Sequence, residues 1–184
     1  AGVDLSPLRL GRAFRRLMGA AARADATALP FATGSYDAAY LAWLQIVPDH
    51  AVIAEAARVL RTRGRLVVIT GPHTSSPDDE IGRVEASLDA LHPWKAQPGD
   101  ITLRGMAAGL RIVARRRWTI DVEQSPDEAA QGIEARDLAT LWALDDAVVD
   151  KARAEAVTAL RSLDAPFEPR LRRIHYPLLV FERA

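Results

Sequence analysis

The 184-residue sequence contains no cysteine, so it forms no disulfide, builds no zinc–thiolate centre and offers no thiol nucleophile. It also lacks a charge imbalance. Lys plus Arg number 24 and Asp plus Glu number 24, a poor electrostatic footprint for a nucleic-acid or anionic-membrane partner. Lysine itself is nearly missing, with only Lys95 and Lys151 among the basic residues. That dominance of arginine reads as compositional bias rather than as a set of phosphate forks. No stretch reaches the roughly 18 uninterrupted apolar residues of a membrane span, and Ala1 to Ser6 lack a basic-then-apolar signal pattern. A cytoplasmic location is the default expectation. The four histidines show no ligand spacing, which argues against a metal site.

Against these absences stand 49% hydrophobic and 26% charged residues, ordinary globular usage for a length that suits one domain over residues 1–184. The chain opens with a short strand ending at Asp4, after which Ser6-Pro7 caps a helix expected over Pro7 to Met18. Ala20 to Ala24 is a weak strand candidate and Asp25 to Ser35 is rich in turn residues. Tyr36 to Leu44 reads as a strand covered on both faces. Helical spacing over Asp49 to Arg61 follows, with Glu55 and Arg58 on its outer side and Gly64 as C-cap. Arg65 to Thr70 is a β-branched run, completing strand, helix and strand in about 35 residues, the size of a βαβ unit.

Downstream, Asp78-Asp79-Glu80 places acids at the start of a helix reaching Leu91. A polar loop then leads to a short helical candidate at Met106 to Leu110, and Arg111 to Glu123 reads as one or two strand segments. Ser125-Pro126-Asp127-Glu128 opens an interrupted helical stretch to Leu163. The last strand candidate, Ile174 to Phe181, is broken by Pro177, which suits an edge or a bulge. Strands separated by helices predict an α/β fold, a Rossmann-like, doubly wound, mostly parallel sheet flanked by helices, with the last strand antiparallel. In such a sheet ligands sit outside the carboxyl ends of the strands, so Asp4 is a candidate acceptor for the two hydroxyls of a nucleotide ribose.

Four motifs occur in an order and spacing similar to class I S-adenosylmethionine-dependent methyltransferases. They are Gly2-Val3-Asp4-Leu5-Ser6-Pro7, Asp25-Ala26-Thr27-Ala28-Leu29-Pro30-Phe31, Ser35-Tyr36-Asp37, and Glu55 to Arg61 with Gly64 to Val68. The run Asp-Ala-x-x-Leu-Pro-Phe most resembles the small-molecule, methyltransferase type 11-like branch. The match is good over residues 1 to 70 and only in outline beyond. The resemblance implies that S-adenosylmethionine is the cofactor and S-adenosylhomocysteine the product. It also implies that Asp4 holds the ribose hydroxyls, Leu5 packs on the adenine, Asp25 accepts the adenine amino group, and the Ala26 amide faces a ring nitrogen. Leu41 to Gln45 would lie beside the methionine part. The family's first strand and Gly-rich loop are expected ahead of Ala1, so the sequence is expected to be the retained part of a longer polypeptide.

The same resemblance implies a small-molecule substrate, with no nucleic-acid or membrane partner, and allows a homodimer. Base methylation is disfavoured because Leu41-Ala42-Trp43-Leu44-Gln45 stands where amine methyltransferases of nucleic acids carry Asn/Asp-Pro-Pro-aromatic. Methyl transfer needs alignment and desolvation rather than a universal catalytic residue. A general base is optional, and His73, after the Leu66 to Thr70 strand, is the best-placed candidate. No role falls to His50, His92 or His175. Residues 74–98 and 125–163 are expected to cover the pocket, with Trp94, Trp142 and Leu144 available to shape it. Two rival readings stay open: a non-catalytic methyltransferase-like partner or scaffold, and a nicotinamide-dependent oxidoreductase using Asp4 for the ribose. The second lacks Gly-x-Gly-x-x-Gly and Tyr-x-x-x-Lys.

Overall fold

The computed structural model describes residues 1–4, 21–42, 51–70, 73–74, 79–91, 98–135 and 145–184. The expected helix at Pro7 to Met18 and the candidates Leu5, His50, His92, Trp94, Trp142 and Leu144 lie outside them. Strand β1 (Gly2–Asp4) pairs in parallel with β2 (Ala21–Arg23). Strand β3 (Tyr36–Ala42) runs into α1 (Ala51–Val59) and β4 (Leu60–Ile69), which returns parallel to β3. This is the βαβ unit that the residue pattern predicts. After β5 (His73–Thr74) come α2 (Glu80–Ala90), α3 (Pro98–Ala107), β6 (Leu110–Gln124), α4 (Pro126–Glu134), α5 (Asp146–Arg161) and β7 (Arg170–Arg183). Strand β7 is antiparallel to β4, β5 and β6, so the expected antiparallel last strand is present.

The main core lies on one face of this sheet. Ile53, Ala56 and Ala57 of α1 and Ile101 of α3 pack on Leu66, Val68, Leu179 and Phe181. Each fully buried Leu, Ile or Phe side chain there contributes about 1.5 to 3 kcal/mol. Helix and sheet approach closely at Gly105, where an added Cβ would stand 2.6 Å from the Phe181 ring, so only glycine fits. On the opposite face Tyr40 is 61% exposed, which corrects the expectation that β3 is covered on both sides. Alternation along the strand turns Ala39 and Leu41 to the helices and Tyr40 away from them.

Several boundaries also differ. Helix α1 ends at Val59 and passes straight into β4, so Gly64 is no C-cap. The register jumps from Tyr36 opposite Leu60 to Ala38 opposite Arg65, so residues 61–64 bulge out. Arg63 takes φ 63°, and a Cβ on Gly64 would meet the Arg61 carbonyl at 2.7 Å. Gly64 serves that close backbone approach. Helix α3 begins at Pro98, eight residues before the expected start, because proline and Asp100 form a favourable first turn.

Strand β7 is central rather than an edge, flanked by β4 and β6. Pro177 is tolerated there because of where its missing donor falls. Its carbonyl accepts from Thr70 N at 3.1 Å, just past the last β4 pair, Ile69 with Leu178, and before the first β5 pair, His73 with His175. Only the reciprocal bond to the Thr70 carbonyl, at the very end of the β4 ladder, is lost.

Because β7 runs antiparallel to β4, its first half and the second half of β6 project beyond the carboxyl end of β4. A second core hangs on this arm, made by Ile81 and Leu88 of α2, Ala129, Ala130 and Ile133 of α4, and Val149, Ala156 and Leu160 of α5. Ser125 starts α4 as the sequence predicts. Its hydroxyl accepts from Glu128 N at 3.1 Å, while Glu128 Oε2 accepts from Ser125 N at 2.8 Å, a reciprocal capping box.

Candidate functional site

Two of the sequence candidates meet at one sheet edge. Register places Asp4 opposite Arg23, and Ala24 N donates to the Asp4 carbonyl at 3.3 Å. Asp4, at the end of β1, therefore lies next to the chain that continues from β2 into Asp25. Asp4 and Ala26 are half-buried and Asp25 is exposed. The Asp25 side chain closes its own turn, with Oδ1 accepting from Thr27 N at 2.8 Å and from Thr27 Oγ1 at 2.8 Å. The Asp25 carbonyl accepts from Ala28 N at 3.1 Å. Both side-chain bonds end on Oδ1, so Oδ2 takes no part in the turn. The Thr27 amide, then its hydroxyl, hold the Asp25 carboxyl below its ordinary 3.8, against a small opposing effect of burial.

The sequence reading missed what braces this loop. Glu55 and Arg58, assigned to the solvated side of α1, reach across to it. Glu55 Oε2 accepts from Leu29 N at 2.8 Å. Arg58 donates from Nε to Glu55 Oε1 at 2.7 Å and from Nη2 to Glu55 Oε2 at 2.8 Å. The same guanidinium donates to the carbonyls of Leu29 at 3.0 Å and Phe31 at 2.9 Å, and to Thr33 Oγ1 at 3.2 Å. Main chain joins in, since Gly34 N donates to the Arg58 carbonyl at 3.0 Å and Arg183 Nη1 does so at 3.0 Å. The Arg58 hydrogen bond holds the Glu55 carboxyl below its ordinary value; burial opposes this and the Leu29 amide assists. The signal was present as an i, i+3 Glu–Arg pair, but nothing in the helix pattern names the loop as its target.

The remaining candidates are scattered. Leu41 sits on β3 opposite Val68 and packs against the main core, in a different sheet from Asp4. The His73 backbone pairs with His175, and His175 Nδ1 lies 2.7 Å from Thr119 Oγ1. Arg111 pairs with Glu182 at 2.8 Å and Arg115 donates to Thr102 at 3.3 Å. Thr70, at the carboxyl end of β4, is 3% exposed, and its Oγ1 has no hydrogen-bond partner among the described residues. Among the described residues no trio of His, Asp or Glu is placed to hold a metal ion. No helix among them is long and apolar enough to cross a membrane.

Residues 1–68 match the family described as "Methyltransferase domain", a span that includes Asp4, Asp25 and the Glu55–Arg58 pair. A search by sequence finds no match among curated proteins. The YcgJ protein of Bacillus subtilis superposes with a TM-score of 0.59 at 18% identity, over 99% of this chain and 81% of that one. A geranyl diphosphate C-methyltransferase of Streptomyces coelicolor A3(2), solved with S-adenosyl-L-homocysteine, gives 0.52 at 17%, over 100% and 62%. The [4+2]-cyclase SpnF gives 0.56 at 17%, over 99% and 65%. Since that cyclase shares the backbone, likeness at this level fixes the fold and not the reaction. The chain thus carries methyltransferase-domain sequence over residues 1–68 and has, as a whole, the class I methyltransferase fold.

Proposed function

We propose that this chain moves a methyl group from S-adenosylmethionine to a small-molecule acceptor. The carrying observation is the pair of carboxylates, Asp4 and Asp25, at the carboxyl ends of two adjacent parallel strands inside the matched span. The donor set fits an adenosyl group. An ionised Asp25 with one oxygen outside its turn accepts from the adenine amino group, and the Ala26 amide donates to a ring nitrogen. Asp4 accepts from the ribose hydroxyls. Leu5 packs on the adenine and Leu41 lies toward the methionine part in the same reading. The cofactor supplies an electrophilic methyl sulfonium. The chain's own task is to bind, align and keep water away.

The α2, α4 and α5 cluster on the projecting arm is the cover of that pocket in this reading, corresponding to residues 74–98 and 125–163. His73 is kept as the optional general base. Neighbours acting on small molecules, such as the geranyl diphosphate enzyme, support the acceptor class without naming the acceptor. The reading also takes the protein to be cytoplasmic and allows a homodimer, which fractionation and light scattering check. The decisive experiment is calorimetric titration of S-adenosylhomocysteine. Micromolar binding that is lost in Asp4→Ala and in Asp25→Ala supports the pocket. Absence of binding turns the assignment to a non-catalytic methyltransferase-like partner.

A further inference from the structure

We infer that Glu55 and Arg58 are positioning residues for the adenine end of the pocket, setting the reach of the loop that carries Asp25 and Ala26. This rests on the methyl-transfer reading above and adds to it two residues that touch no ligand themselves.

The geometry is one-sided in a telling way. Residues 24–35 form no regular element apart from the Asp25 turn, so their shape must be fixed by something else. Past the bond from Ala24 N to the Asp4 carbonyl, the bonds among the described residues that fix this segment to the body of the fold come from α1: the Leu29 amide, the Leu29 and Phe31 carbonyls, the Thr33 hydroxyl and the Gly34 amide all end on Glu55 or Arg58. A guanidinium has five N–H donors in a rigid fork, and here that fork spans two carbonyls while two more donors lock onto Glu55. Glu55 in turn uses Oε2 for both Leu29 N and Arg58, so the carboxylate is the hinge pin between helix and loop. Lysine offers charge without the fork and cannot hold these acceptors together. Gly34 closes the clasp at φ 68°, a left-handed turn that glycine adopts without strain. Downstream, Phe31 sets its ring edge-on to Tyr36 at 5.0 Å, which carries the clasp into β3.

The consequence concerns pre-organisation. A ligand edge read by one carboxylate and one amide is held only if both stand at fixed separation, and a loop free to sample other shapes pays that ordering on binding. The clasp removes the cost in advance.

The test compares adenosine with S-adenosylhomocysteine by calorimetry on wild type, Arg58→Met, Arg58→Lys and Glu55→Gln, with Arg173→Met, which breaks an exposed ion pair with Asp121 on the projecting arm, as the stability control. The inference expects Arg58→Met and Arg58→Lys to weaken adenosine and S-adenosylhomocysteine by the same factor, about tenfold or more. Arg58→Lys serves as the readout if Arg58→Met fails to fold. Unchanged affinities in the folded variants overturn the inference while leaving the cofactor reading intact. So does weakening confined to S-adenosylhomocysteine, because the loop would then act on the amino-acid end. Wild type that binds neither ligand overturns the cofactor reading itself.

Discussion

Arg172 Nε lies 3.0 Å from Asp79 Oδ1, and the two side chains, 93 residues apart, are 4% and 6% exposed. The same guanidinium donates from Nη2 to Glu85 Oε2 at 2.7 Å and bonds Gln124 Oε1. Burial opposes charge on Arg172, but Glu85 and Asp79 outweigh it and hold the group protonated. Asp79 is also the N-cap of α2, accepting from Gly82 N at 2.8 Å. One arginine on β7 therefore fastens the start of α2 to the projecting arm, and with it the second core.

Removing it strands the buried Asp79 carboxylate beside the half-buried Glu85 with no cation between them. Arg172→Met is expected to destabilise by about 3 kcal/mol, the cost of stranding one side of a buried pair. That corresponds to a fall in melting temperature on the order of 10 °C for a chain of this size. Hydrogen exchange should rise first in α2, α4 and α5, where the second core loses its anchor. Chemical denaturation with amide exchange checks both; equal exchange in α1 and α3 would count against a separate second core.

Thr70 presents the opposite case. Its hydroxyl is buried without a partner among the described residues, and an unsatisfied group of this kind costs about 1 to 3 kcal/mol compared with a satisfied one. Thr70→Val keeps the branched shape and removes the polar atom. The expected outcome is a gain in stability of about 1 kcal/mol, read by urea denaturation with an unchanged m-value. A loss of stability instead would mean that the hydroxyl is hydrogen-bonded in solution.

Much of this architecture was legible because its signals are local. The β-branched run to Thr70, the Ser125-Pro126-Asp127-Glu128 start and the acids before α2 each fix an element without help from distant residues. Asp4 and Asp25 were legible as site candidates from the resemblance and from strand-end position. What failed to show were long-range relations. Pro177 looked like an edge residue because sequence does not reveal that β4 breaks opposite it. Glu55 and Arg58 looked solvated because they bond main-chain groups 26 to 29 residues away, the Leu29 amide and the Leu29 and Phe31 carbonyls, and a main-chain group leaves no mark in a sequence. Arg172 was one arginine among many until the fold brought Asp79 and Glu85 around it.

The Asp25 turn yields a pH prediction whose sign can be worked out. Thr27 lowers the Asp25 carboxyl below 3.8 in the folded chain, chiefly through its amide and next through its hydroxyl. A depressed folded value means that the turn's contribution is fully present above the unfolded value and is lost as pH falls through the folded one. At pH 4 Asp25 should therefore be more fully ionised than an ordinary aspartate. Thr27→Val deletes the hydroxyl and keeps the amide, so the carboxyl should move up part of the way toward 3.8. In the reading proposed above, S-adenosylhomocysteine affinity should hold to lower pH in wild type than in Thr27→Val, since the adenine amino group needs an ionised acceptor. NMR titration of the Asp25 carboxyl beside calorimetry at pH 4 and pH 7 measures both. A carboxyl that titrates alike in the two proteins would show that the hydroxyl bond does not persist in solution.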